Sequence, residues 1–471
     1  FTYVPDNAGV DVTTYATDSK TGAAVTNQFD DAAGNATYLT RADWEGTFPK
    51  HDGTPMAGQV STWGNEINGT DGDGNPVSLL YTKTASADLL AKLDSTESGN
   101  PVDRASITDE PVYGAKNGLE LIDMRGLDYD DPQWNDLLDE LTPEDYFLSV
   151  GVGGYGTAGL KSVQKPFNVD ADTAAGLIYG GSGAMVSGGS MMYCTPVTVA
   201  MTYNQEIYAK YGEMIGNEAV LGGASGWYAP SMNIHRTPFT GRNGEYYSED
   251  GFLSGVIGSL EVRGAASKGL YATIKHFALN DQENHRGDTE GQKSMATWAN
   301  EQAIREIYLK PFEMCTKIDD VQMSYLQKDG DSYKTATREV PACTAVMSAF
   351  NRIGATWTGG NYALLTSVLH NEWGFRGWIV TDSASSAGSY MDVSQMIEAG
   401  GVSKLAQAEN LAKWTFDQND PAEYHYAREA MHALLYTTAN SHVMNGAVHG
   451  SVWVDGPQKL EVVRWVATGV S

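Results

Sequence analysis

From about residue 140 onward the chain alternates helix-like and strand-like segments, and this rhythm limits the available folds more than any other feature of the sequence. LTPEDYFLSV places Thr142 just before Pro143, a favourable helix start, because a proline in the first turn gives up no hydrogen bond. NQEIYAKYGEMIGNEAV then reads as helix and GWYAPSMNI as strand, FLSGVIGSLEVRGAA as helix and LYATIKHFA as strand. WANEQAIREIYLKPFEMCTK reads as helix, ACTAVMSAF as strand, NYALLTSVLHNEW as helix and RGWIVTDS as strand. The strand segments are nearly unbroken apolar runs, as expected where both faces of a sheet are covered. Such alternation means parallel βα units. Repeated in this number, they favour an α/β fold with a (β/α)8-type barrel, irregular if need be, over an open doubly wound sheet, although periodicity alone does not show closure. Residues 1 to about 110 are rich in Asp, Asn, Gly and Thr with short alternating runs, which read as loops and hairpins. The expected organisation is a strand-bearing connector over 1–112, a barrel over 113–440 and a tail over 441–471.

Charge and cysteine content exclude several function classes. Lys and Arg number 31 against 59 Asp and Glu, a net charge of -28. A field of that sign repels phosphate, so nucleic acid is not an expected partner, while a neutral ligand feels little of it. Cys194, Cys315 and Cys343 are odd in number and lack metal-ligand spacing, so neither a disulfide framework nor a zinc site is expected. No stretch reaches the roughly 18 apolar residues of a membrane helix, though a membrane association of another kind stays open. The glycine-rich runs GGYGT and GGSGAMVSGG lack phosphate-loop spacing and read as structural. The start at Phe1 and the ending LEVVRWVATGVS lead to the expectation of a piece of a longer protein, and localisation is left between the cytoplasm and a cell-surface or extracellular setting.

The polar residues fall where a barrel would use them. Lys275 and His276 end one strand, Asn351 and Arg352 follow another, and Asp382 ends a third. Barrels of this type build their active face from the C-terminal strand ends. A plainer reading makes Asp382 a cap for a helix over SASSAGS, and spacing leaves both readings open.

Five segments, in order across roughly residues 115–440, carry a resemblance: NIHRTPFTGRNGEYYSED, LYATIKHFALNDQENHR, EQAIREIYLKPFE, AVMSAFNRIG and GFRGWIVTDS. Together they resemble the barrel domain of family 3 glycoside hydrolases, the β-glucosidase group. NQFDDAAGNATYLTRADWEGTFP, DYDDPQWNDLLDELT and TTANSHVMNG look like the branch in which an α/β sandwich domain precedes the barrel. The resemblance implies a retaining, exo-acting β-glycosidase acting on a β-glycoside or oligosaccharide, with no cofactor and no metal. It puts the nucleophile at Asp382, and sugar-binding groups at Asp172, Arg242, Lys275, His276, Met347 and Phe350. It also implies a companion sandwich domain or chain, because in most of the group the acid/base is a glutamate there.

The chemistry suits those residue types. A retaining glycosidase needs an ionised nucleophile and a second carboxyl about 5–5.5 Å away, and cations such as Arg242 or Lys275 are expected to lower the nucleophile's pKa. Three departures stand out: Ser383 where many members carry Trp, Phe350 where Tyr is usual, and DTAAG in place of DGPAG around Asp172. The loop FALNDQENHRGD lacks the Asp-His dyad of the hexosaminidase branch. Asp281, Glu283 and Glu245 are expected to be structural, Glu245 through pairing with a basic neighbour, and His235 and His285 to be hydrogen-bonded loop residues. The competing class is a catalytically silent carbohydrate-binding or interaction subunit.

Overall fold

The computed structural model describes residues 17–33, 68–70, 73, 76–78, 85–179, 190–236, 238, 240–283, 286, 294–384 and 390–452. The segment RADWEGTFP, the sequon at Asn35, the run GGSGAMVSGG, His285 and both chain ends lie outside them.

One seven-stranded sheet organises the rest. Its strands, numbered along the chain, are β1 (Asp170–Asp172), β2 (Ile178–Tyr179), β3 (Gly226–Trp227), β4 (Tyr271–Phe277), β5 (Ala345–Ser348), β6 (Trp378–Ser383) and β7 (Ser403–Leu405). The spatial order is β7-β6-β5-β4-β3-β1-β2. Every pair from β1 to β7 is parallel, and only the edge strand β2 runs antiparallel, against β1. Apart from β2, strand order thus follows chain order, as in an unrolled barrel. The gap between the two ends is spanned by an irregular segment: Gly153 N–H donates to Lys404 O of β7 at 2.8 Å, while Tyr155 O accepts from Asp170 N–H of β1 at 3.2 Å. The (β/α)8-type expectation is met in this irregular form.

Helices cover the outside: α1 (Gln205–Gly222), α2 (Gly251–Ala266), α3 (Lys310–Thr316), α4 (Ala363–Glu372), α5 (Val393–Glu398) and α6 (Pro421–Ala439). Asn204, Asp250 and Asp420 cap α1, α2 and α6 by accepting from the backbone N–H two residues on. Helices α1 and α2 touch through glycine: a Cβ on Gly212 would stand 2.1 Å from Glu261 O. No described helix is long and apolar enough to cross a membrane.

Two sequence expectations change in extent. GWYAPSMNI forms only the short β3, because Pro230 has no N–H to offer a ladder; the chain stays extended and meets β4 again at Ser231 and Lys275. The helix over WANEQAIREIYLKPFEMCTK is divided, with Glu301–Ala303 and Ile304–Tyr308 ahead of α3, where Pro311 stands in a first turn. Between α3 and β5 runs an antiparallel hairpin, Val321–Asp329 with Ser332–Val340. Its two-residue Gly330-Asp331 loop and polar alternation were a legible hairpin signal.

Both flanks of the barrel dock on it. Phe29 is buried, and Glu301 Oε2 accepts from the N–H groups of Gln28 and Phe29 at 3.0 and 2.7 Å. At the other flank, His442 Nε2 hydrogen-bonds Ala224 O at 2.7 Å, and Met444 is buried.

Candidate active site

Strand β6 carries Trp378 to Val380 into the core and delivers Asp382 to its C-terminal end, where the backbone turns. Oδ1 accepts the N–H of Ser383 at 2.7 Å. Oδ2 has no hydrogen-bond donor among the described residues; His276 Nε2 is 3.6 Å away. The carboxylate caps only its own neighbour, so one oxygen remains available for other chemistry.

The adjacent ring of charge comes from three other strands or the loops after them. On β4, Lys275 Nζ donates to Asp172 Oδ1 at 3.2 Å and lies 3.5 Å from Glu245 Oε1. Arg242 donates from Nε and Nη2 to Glu245, both at 2.8 Å, and Nη2 approaches His276 Nε2 at 3.1 Å. A guanidinium only donates, so His276 Nε2 accepts and Nδ1 carries the proton, towards Asn233 Oδ1 at 3.4 Å or Tyr246 Oη at 3.3 Å. Burial, with Arg242, Lys275 and Arg286 beside it, holds the imidazole pKa well below its ordinary value, so it is neutral. The Asn233 side chain fixes this strand end twice, accepting from His276 N–H at 2.8 Å and donating to His276 O at 2.9 Å.

Asp382, Asp172, Arg242, Lys275 and His276 therefore meet at one end of the sheet. Met347 is buried on β5 opposite Val380 and makes no polar contact there. Phe350 is buried under Arg286, whose guanidinium carbon is 4.5 Å from the ring centroid. Thr173, which stands where the family motif has Gly, takes φ +81°. That is costly for a β-branched residue, and two hydrogen bonds hold it: its N–H to Asp172 Oδ1 at 2.7 Å, and the Trp227 indole to its carbonyl at 2.8 Å. The sequence reading passed over Arg286, Asn233, Tyr246 and Ser231. Arg286 lay unremarked in the loop FALNDQENHRGD, and the others act by positions that only folding brings together.

One electrostatic expectation is corrected. Arg242, Arg286, the Ser383 N–H and Lys275 all favour the charged form of Asp382, yet its pKa is raised, because burial outweighs them. Glu245 behaves oppositely. Burial would raise it, but Lys275 and Arg242, helped by the Ser231 hydroxyl at 2.8 Å, bring it down to about 2. Its structural pairing is as expected from the sequence. A depressed acid stabilises the fold above its unfolded value near 4.5, and that stability is lost as pH falls towards 2. Glu245→Gln is accordingly expected to cost about 3 kcal/mol at pH 6 and little at pH 2.5, as read from urea unfolding at the two pH values.

Glu283 sits between cations, 3.5 Å from Arg242 and 2.8 Å from Arg286. Asp281 is buried and accepts from Ile234 N–H. His235 Nε2 bonds Tyr246 O at 3.0 Å, and no His, Cys, Asp or Glu group fit to hold a metal occurs among the described residues.

An underbonded carboxylate thus stands at a parallel strand end beside ammonium, guanidinium and imidazole groups. Part of the chain is similar to known proteins. Residues 177–327 match the Glycosyl hydrolase family 3 N terminal domain. A beta-glucosidase of Rhizobium radiobacter is 34% identical over 251 residues, 53% of this chain and 27% of that protein. Beta-glucosidase A of Butyrivibrio fibrisolvens is 38% identical over 184 residues, 39% of this chain and 19% of that protein. The solved beta-glucosidase 3B of Thermotoga neapolitana, in complex with alpha-D-glucose, aligns with TM-score 0.51 and 28% identity over 66% of this chain and 43% of its own. These findings support glycoside hydrolase family 3 for the matched part of the chain, residues 177–327. The chain matches well under two thirds of the length of these relatives.

Proposed function

We propose that this chain is the barrel part of a retaining, exo-acting β-glycosidase, a β-glucosidase by substrate, in which Asp382 is the nucleophile. The observation that carries the reading is the free Oδ2 of Asp382 at the C-terminal end of β6, facing a preformed ring of sugar-compatible donors and acceptors. In this reading Asp382 Oδ2 bonds to the anomeric carbon as the glycosidic C–O bond breaks, and the leaving oxygen takes a proton from a second carboxyl. Water then attacks the glycosyl-enzyme, giving its proton to that same carboxyl and releasing Asp382.

Lys275, Asp172, Arg242 and the neutral His276 hold the hydroxyls of one sugar ring. Hydrogen bonds from them that strengthen as charge develops on the ring lower the barrier. Met347 and Phe350 form the apolar wall. The raised pKa of Asp382 is compatible with this role, since burial keeps the carboxylate poorly solvated while the flanking cations favour its charged form.

Asp172, Glu245 and Glu283 are each ion-paired, and Glu283, whose pKa burial raises, has its carboxylate engaged by Arg242 and Arg286. We therefore assign the acid/base to a sandwich domain or chain that works with this one, with 1–112 as connector, 113–440 as barrel and 441–471 as tail. The test is proton NMR of the complete protein hydrolysing an aryl β-glucoside. The first product formed is expected to be the β-anomer, mutarotating later. An initial α-anomer contradicts the double-displacement reading, and sugar binding without turnover supports a silent subunit.

A further inference from the structure

At the end of the sheet away from Asp382, a cavity of about 320 Å³ opens between α4 and α6, where the chain enters β6 and β7. Arg376 lies in the turn before β6, and Gly400 to Val402 lead into β7. Tyr129 and Asp130 come from the segment ahead of the short helix Gln133–Leu138, and α6 supplies Glu429, His432 and Ala433. None of these residues takes part in the reaction above, and the length of β6 separates Arg376 from Asp382.

The cavity keeps opposite charges apart. Arg376 Nη1 donates to the carbonyls of His370 and Phe375 at 3.1 and 2.9 Å. Among the described residues its Nε and Nη2 have no acceptor, and no carboxylate pairs with the guanidinium. With 59 acidic side chains against 31 basic ones, a carboxylate partner would be easy to supply. Two acids do line the same cavity, Asp130 and Glu429, but Glu429 pairs instead with His425 Nε2 at 3.5 Å. Burial first, and then Glu429 and Asp130, raise the pKa of Tyr129 while Arg376 opposes them, so all three charges act on one phenol.

The rest of the wall is aromatic or apolar. Tyr129 stacks on His432, with ring centroids 4.0 Å apart and planes 17° apart, and the Arg376 guanidinium carbon lies 5.6 Å from the Tyr129 centroid. Ile397, Val402 and Ala433 are buried beside them. His432 Nε2 is buried without a hydrogen-bond partner among the described residues. Burial, aided by Arg428 and Arg376 and opposed by Asp130, brings the pKa of His432 down to about 4, so near neutrality the ring adds a polar atom but no charge.

A ligand that satisfies this wall carries a carboxylate for the planar fork of Arg376, an ammonium for the two acids and an apolar group between them. Those are the parts of an α-amino acid zwitterion. The volume is at the low end of the ~300–1,000 Å³ of small-molecule sites, in keeping with one amino acid over a peptide. The two acids and the net charge of -28 disfavour a multiply charged anion such as phosphate.

We propose that this cavity binds a free amino acid with an apolar side chain, its carboxylate on Arg376 and its ammonium on Glu429 and Asp130. The site is independent of the glycosidase reading of Asp382.

The test is calorimetric titration of the complete protein with L-phenylalanine and L-leucine, beside phenylacetate and phenethylamine, which carry one charge each. At least one of the two amino acids is expected to bind with a Kd of about 1 mM or tighter. Each single-charge analogue is expected to bind at least about tenfold more weakly than L-phenylalanine. Arg376→Gln, and separately Asp130→Asn combined with Glu429→Gln, are each expected to weaken amino-acid binding about tenfold or more. Asp130 and Glu429 are exposed, so the double variant keeps the fold and decides the matter should Arg376→Gln unfold. No binding of either amino acid at about 10 mM overturns the site. So does an affinity left unchanged in the double variant, or phenylacetate binding as tightly as L-phenylalanine.

Discussion

Asp382→Asn is expected to lower kcat of the complete protein on an aryl β-glucoside by at least ~10⁴-fold, the scale on which loss of a covalent nucleophile is felt. The amide is nearly the same size and can keep the Ser383 N–H contact through its carbonyl, so the fold should survive. What is lost is the anionic oxygen. His276 is a poor replacement nucleophile, because its Nε2 lone pair accepts from Arg242 Nη2 at 3.1 Å and burial with three nearby cations holds its pKa well below the ordinary value. The measurement is steady-state hydrolysis beside a thermal unfolding curve. Native-like unfolding with activity at that loss confirms the assignment, whereas activity within tenfold of wild type refutes it.

The second large effect concerns stability. Arg305 is 4% exposed and joins two buried acids. Its Nε donates to Glu301 Oε1 at 2.6 Å, and its Nη atoms donate to both Glu372 oxygens at 2.6 and 3.0 Å. The same Glu301 clasps Gln28 and Phe29 against the barrel, and Arg305 also reaches Thr26 O at 3.1 Å. Arg305→Met keeps the bulk but strands two desolvated carboxylates, for an expected loss of about 3–5 kcal/mol. The pH sign is fixed by the same argument: stranded carboxylates favour the protonated form, so the loss should be smaller at pH 5 than at pH 7. Urea unfolding at both values checks it. A loss under about 1 kcal/mol at pH 7 would mean that the trio contributes little beyond packing.

Much of the barrel is legible in the sequence because its central strands are buried on both faces. YATIKHF and WIVTDS are apolar runs that end on polar groups, and a barrel puts those ends on one face. The closing segment is harder to see. VGGYGT has neither apolar run nor alternation; its glycines let the backbone pass close to Ser403 and Ala406, where a Cβ on Gly153 or Gly154 would stand 2.5 and 2.9 Å away. In the site, strand-end position alone marks Lys275, His276 and Asp382, while Asp172 and Arg242, which lie beside Lys275 and His276, enter only through the family resemblance. The direction of the Asp382 pKa is not legible in this way. It is a balance between desolvation and charge, and the amount of burial is set by the whole fold.

The most direct test of the central claim is covalent trapping. An activated 2-deoxy-2-fluoro-β-glucoside slows the second step more than the first, so a retaining enzyme accumulates its glycosyl intermediate. After incubation with the complete protein and proteolysis, mass spectrometry is expected to find one fluoroglucosyl adduct, on the peptide that contains WIVTDS and at Asp382. An adduct on any other carboxylate, Glu245 or Glu283 included, would contradict the assignment, as would rapid turnover with the first product released as the α-anomer.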